Sequence, residues 1–168
     1  MLNSVFLRHF ILGTQYTLSD ILKYIVHPIP STRDVRYFGE QENMEDSKKN
    51  TLIVEDSITF RQFFREILLS RFPLMQVHEA ADVPEALKKV EAFPPDLAIV
   101  DIRLPGENGL ALAKILKSQY PNLKVIILTM HDTPEYREAA RQLGTDYFIS
   151  KGSSTKEEIL TLIRSVLS

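Results

Sequence analysis

The chain has 168 residues, 44% of them hydrophobic and 25% charged, with 9 Pro, 6 Gly and no Cys, enough for one globular domain with a buried core and a short appendage. The lack of cysteine excludes disulfides and thiolate metal sites and fits a reducing, cytoplasmic address. No apolar run approaches the roughly 20 residues that cross a bilayer, and Arg8 and His9 interrupt the one stretch that could serve as a signal sequence. Twenty Lys and Arg against 22 Asp and Glu leave a net charge of −2 with no basic block, which argues against direct nucleic-acid binding.

In chain order, residues 1–49 come first, as an irregular N-terminal extension and linker. Thr17 to Asp20 has the form of a capping box ahead of Leu18, Ile21, Leu22 and Ile25, which predicts a short helix that Pro28 and Pro30 end. Ser31 to Asn50 is polar, charged and without period, as a linker is.

From residue 50 to 168 short β-branched runs alternate with stretches of helical period. The strand runs are Leu52-Ile53-Val54, Met75-Gln76-Val77, Leu97 to Val100, Val125 to Leu128 and Tyr147-Phe148-Ile149. Between them apolar residues recur three and four apart, as in Phe60/Phe63/Phe64/Ile67, Val83/Ala86/Leu87/Val90 and Leu112/Ile115/Leu116. Tyr136/Ala139/Ala140/Leu143 and Ile159/Leu160/Ile163/Val166/Leu167 complete the series. Thr133-Pro134 and Ser154 with Glu157 open helices, and Gly144 closes one. Five βα units predict an α/β, doubly wound domain: a five-stranded parallel sheet with helices on both faces.

In such a sheet ligands bind beyond the carboxyl ends of the strands. There the sequence has Glu55-Asp56 after the first strand, Asp101 after the third, Thr129 after the fourth and Ser150-Lys151 after the fifth. Taken singly, Asp56 could cap a helix, Asp101 could open the turn before Pro105-Gly106, Thr129 could be a cap and Lys151 a solvated loop charge. Taken together, three converging carboxylates repel one another and call for a cation. All-oxygen ligands with room for water suit Mg²⁺.

These residues stand in Leu52-Ile53-Val54-Glu55-Asp56-Ser57, in Val100-Asp101-Ile102-Arg103-Leu104-Pro105-Gly106-Glu107-Asn108-Gly109, in Ile127-Leu128-Thr129 and in Phe148-Ile149-Ser150-Lys151. Residues 50–168 thereby resemble the CheY-like receiver domain of bacterial two-component response regulators. The resemblance implies a flavodoxin-like (βα)5 fold and a phosphoacceptor rather than an enzyme. Asp101 would accept a phosphoryl group from a histidine kinase or histidine phosphotransfer protein. Glu55, Asp56, Asp101 and the backbone carbonyl of Arg103 would hold Mg²⁺, Glu55 through a coordinated water. Lys151 would neutralise a phosphoryl oxygen, and Thr129 would bond the attached group. Phe148 stands at the family's aromatic switch position, so the face around the fourth helix, fifth strand and fifth helix would read out the change to a downstream protein, with a phosphorylation-dependent homodimer as one form of that readout.

The Asp-Ile-Arg-Leu-Pro-Gly run is most similar to regulators whose receivers precede helix-turn-helix output domains. The expectation here is a stand-alone receiver without one. Gly152 stands where many receivers have Pro, so no cis peptide is expected after Lys151. Met130 is larger than the small residue common beside the threonine and would narrow the approach to the site. A haloacid-dehalogenase-type phosphatase needs a second Asp two residues after its nucleophile, where this chain has Arg103. A flavodoxin-like cofactor domain needs a phosphate-cradling loop where this chain has Glu55-Asp56-Ser57. A degenerate receiver that serves as a phosphorylation-independent binding module gains no support, since all five polar groups are present. Receivers of this kind begin shortly before their first strand, and codons for Gly39-Glu40 can spell a purine-rich GGAG ahead of Met44. A start at Met44 is therefore expected, with residues 1–43 outside the working protein; the competing expectation docks the Leu18/Ile21/Leu22/Ile25 face on the receiver or a partner.

Overall fold

The structure is a computed structural model that describes residues 48–168. The helix expected in the extension, the linker up to residue 47 and the question of a start at Met44 lie outside the described residues; Asn50, expected to end the linker, instead opens the first strand. The elements run β1 (Asn50–Val54), α1 (Ile58–Arg71), β2 (Gln76–Ala80), α2 (Val83–Ala92), β3 (Leu97–Val100), α3 (Gly109–Gln119), β4 (Lys124–Thr129), α4 (Pro134–Gln142), β5 (Tyr147–Ser150) and α5 (Lys156–Leu167). The strands form one parallel sheet in the order β2-β1-β3-β4-β5.

Alternation along each strand divides the core in two. Leu52, Val54, Ala98, Val100, Val125 and Ile127 face one side and pack with Val83, Ala86 and Val90 of α2, Leu112, Ala113 and Leu116 of α3, and Ala140 of α4. Ile53, Leu97, Ile99, Ile126, Leu128 and Ile149 face the other and pack with Phe64 and Leu68 of α1 and Ile159, Leu160 and Ile163 of α5. Because α1 and α5 share a face, the turn after β1 and the turn after β5 are brought to the same corner.

Two expectations shift on inspection. The second strand begins one residue later and extends three residues further than the Met75–Val77 run, through His78 and Glu79. As one of the sheet's two outer strands it is only half-buried along most of its length, so it carries polar residues that broke the apolar pattern. The last helix is capped by Thr155 with Glu158 in a reciprocal capping box, one residue beyond the Ser154/Glu157 pair. Both pairs have the required spacing, and local sequence does not separate them. Thr133 caps α4 as expected, and no described peptide bond is cis. No helix among the described residues is long and apolar enough to cross a membrane.

Asp146 clamps the lower end of β4. Its Oδ2 accepts the Val125 N–H at 2.8 Å and the Lys117 ammonium at 3.1 Å, and its Oδ1 lies 3.4 Å from Lys124 Nζ. Burial pushes the carboxyl up, but the Val125, Lys117 and Lys124 contacts together hold it below its ordinary 3.8. A depressed carboxyl contributes stability above its unfolded-state pKa and loses it as pH falls through the folded one. Asp146→Ala should therefore cost about 1–3 kcal/mol at neutral pH, with the gap to wild type narrowing below pH 3.8, as urea titrations at several pH values would show.

Candidate functional site

Backbone ladders run past the strand ends and fix the first residue of each loop. The Glu55 N–H donates to Ala80 O at 3.0 Å, the Asp101 N–H to Val54 O at 2.9 Å and the Lys151 N–H to Thr129 O at 2.8 Å. Carboxylate oxygens of Glu55, Asp56 and Asp101 consequently lie within 4.8 Å of one another. Glu55 and Asp101 are buried, whereas Asp56 is exposed at the mouth. Asp56 is not a helix cap: Ser57 caps α1, its hydroxyl accepting the Phe60 N–H at 3.3 Å.

The Lys151 ammonium donates to Glu55 Oε2 and to Asp101 Oδ2, the latter at 2.8 Å. It is 4% exposed, so the reading of Lys151 as a solvated loop charge is excluded. Burial most of all raises the Glu55 carboxyl, against the pull of Lys151 and with a smaller push from Asp101, to about 7. The other Glu55 oxygen, Oε1, accepts the Ser57 N–H at 3.3 Å. The Arg61 guanidinium donates to the Glu55 carbonyl and so ties the acidic turn to α1.

Thr129 is fully buried, and its Oγ1 accepts the His131 N–H at 3.1 Å. The hydroxyl proton is not used in that bond, so Thr129 can still donate. Arg103 is exposed and pairs with Asn108 in an isolated bridge that closes the loop after β3, with Gly106 at φ 78° in its tip. The Arg103 N–H reaches Asp101 Oδ1 at 3.4 Å. Phe148 is half-buried, with the Arg137 guanidinium 4.8 Å from its ring centroid. Arg137 is in turn bonded to Asp132, at 2.7 Å for Nη2 to Oδ2. Met130 is 37% exposed, and its Cε would lie 3.7 Å from a Cβ at Gly152.

The model of the response regulator receiver domain family matches residues 51–164. The chain belongs to that family. Receivers are phosphoacceptor signalling domains of two-component systems, modified on an aspartate, and not enzymes in the usual sense. Oxygen regulatory protein NreC of Staphylococcus carnosus is 36% identical over 117 residues, which are 68% of this chain and 53% of that protein. Transcriptional regulatory protein DegU of Brevibacillus brevis is 28% identical over 110 residues, 66% of this chain and 47% of that one. The chain thus spans about half the length of these curated relatives. Among solved structures, a CheY-like receiver domain protein of Methanospirillum hungatei superposes with a TM-score of 0.67 at 29% identity, covering 72% of this receiver chain and 94% of that one.

Sequence reasoning missed the groups that hold the receiver's site in place. Gly109 opens α3 directly against the loop that Asp101 begins, and a Cβ there would meet the Asp101 carbonyl oxygen at 1.8 Å. Its position in the Asn-Gly pair ahead of a helical run is visible in the sequence, but the approach to Asp101 is not. Arg61, Phe60 and the Asp132–Arg137 pair act through space and leave no local pattern. Because the obstruction at Gly109 is backbone, Gly109→Ala should destabilise the domain by about 2 kcal/mol or more. Thermal unfolding followed by circular dichroism would measure this.

Proposed function

We propose that Asp101 is the phosphoacceptor and that a histidine kinase or histidine phosphotransfer protein supplies the phosphoryl group. The observation that carries this reading is the convergence of Glu55, Asp56, Asp101 and Lys151 at one sheet edge. An Asp101 oxygen attacks phosphorus while the donor's P–N bond breaks, and the donor nitrogen keeps the electron pair. The product is an acyl phosphate, and an ionised carboxylate needs no general base for the attack.

The donor set fits Mg²⁺. Its oxygens are hard and anionic, and Asp56 stands exposed where water can enter. Asp56, Asp101 and the Arg103 carbonyl would hold the ion, with Glu55 acting through a coordinated water. When bound, a divalent cation cancels the repulsion between these carboxylates and an incoming phosphoryl group.

Lys151, already bonded to Asp101, turns its charge to a phosphoryl oxygen, and the Thr129 hydroxyl donates to another. Inward movement of Thr129 vacates space that Phe148 fills by leaving Arg137. The α4–β5–α5 face then changes, and its reader is a downstream protein or a second phosphorylated copy. A LuxR-family response regulator of Staphylococcus aureus to which this chain is similar is DNA-binding. For the receiver described here we assign the readout to protein contact.

Acetyl phosphate with Mg²⁺ should place one phosphoryl group on Asp101, detected by intact-mass and peptide mass spectrometry, and Asp101→Asn should abolish it. Modification that persists in the Asn variant would move the nucleophile elsewhere, and an inert wild type would make the domain a binding module. Arg103 stands two residues after Asp101 and His131 two after Thr129, and from these positions we infer that both bulky side chains hinder a hydrolytic water, so the acyl phosphate should decay slowly. Arg103→Ala or His131→Ala should speed decay severalfold in a phosphate-release assay; unchanged or slower decay in both would remove them from this role.

A further inference from the structure

The aromatic ring of Phe60 lies at the rim of the acidic site, with the Lys151 ammonium 4.2 Å from its centroid. We propose that Phe60 is a positioning residue for Lys151: its π-face holds the ammonium in place while the phosphoryl group replaces Asp101 as a partner. This rests on the reading of Asp101 as phosphoacceptor.

Lys151 is 4% exposed although the site opens to solvent at Asp56. Two of its three N–H donors point at Glu55 and Asp101, and the Phe60 ring covers a further side. A cation over an aromatic face is attracted by the ring quadrupole, most strongly where water is excluded. The contact also differs in kind from the two ion pairs. When Asp101 becomes an acyl phosphate its carboxylate charge is lost to the new bond, so the Asp101–Lys151 pair must be remade. The ring is unaffected by that chemistry and stays as a fixed pivot.

The ring is well braced for this. Ser57 caps α1 by accepting the Phe60 N–H at 3.3 Å, which sets where the first turn begins. One turn on, Phe64 stacks on Phe60 with centroids 5.7 Å apart and planes 22° from parallel. Phe64 is 4% exposed in the core shared by α1 and α5. A continuous line of contacts therefore runs from that core through Phe64 and Phe60 to the ammonium and on to Asp101. A long, flexible lysine side chain that ends in the wrong place would cost rate even with every charge present.

The test compares Phe60→Leu, which keeps an apolar side chain but no π-face, with Phe60→Tyr, which keeps the ring. Phosphorylation of the full chain is followed at saturating Mg²⁺ and acetyl phosphate. Phe60→Leu should slow it about twofold to thirtyfold, the range of a partly to fully desolvated cation–π contact, while Phe60→Tyr stays within about twofold of wild type. In the unphosphorylated protein, ring-current upfield shifts of the Lys151 ε-methylene protons should appear in wild type and Phe60→Tyr and vanish in Phe60→Leu. Equal rates in all three proteins, equal slowing in both variants, or no ring-current shift in wild type would overturn the role of Phe60. A wild type that shows the shift yet accepts no phosphoryl group would overturn the phosphoacceptor reading itself, and this role with it.

Discussion

The ammonium of Lys151, seated between Glu55 and Asp101, is the interaction on which the site depends. Two buried carboxylates with oxygens within 4.8 Å of each other repel by about 3 kcal/mol at intermediate dielectric. A lysine from the far end of the chain supplies the opposing charge, which couples the first strand, the third and the fifth in one contact. The same geometry leaves Asp101 with a cation already beside it, so under the proposed function the contact that stabilises the resting site is also where the phosphoryl group would arrive.

That contact exists because the sheet is parallel and in close register. Val54 pairs with both Ala80 and Val100, Val100 with Ile127, and Thr129 with Ser150, so β4 and β5 run two residues past the other three strands and the residues that follow every strand enter the same edge. The helices contribute by their sides of the sheet. Because α1 and α5 cover one face, the ring of Phe60 and the side chain of Lys151 approach from the same corner. The close seating of Gly109 against the Asp101 carbonyl keeps the loop after β3 tight against α3 on the other side.

The face at α4 and β5 is held in a second, separable way. Arg137 stacks on Phe148 and is itself bound to Asp132 in the loop after Thr129. The loop after Thr129 therefore also grips the residue that lies against the Phe148 ring. These contacts lie at exposed side chains and are individually weak.

The sequence by itself determined the α/β class, the five βα units, the residues at each strand end and the family, because apolar period and strand-end chemistry are local and each can be read within about ten residues. It misplaced the second strand, where His78 and Glu79 sit on an outer strand that needs no continuous apolar run, and the cap of the last helix, where two overlapping pairs have the same spacing. Only the tertiary structure decided that Lys151 is buried rather than solvated, that Ser57 and not Asp56 caps α1, and that Arg61, Phe60 and Gly109 brace the site. The reason is physical. Lys151 lies 96 residues from Glu55 and 50 from Asp101, and a contact across such separations is set by strand order, register and the face each helix covers, none of which leaves a mark in the residues on either side.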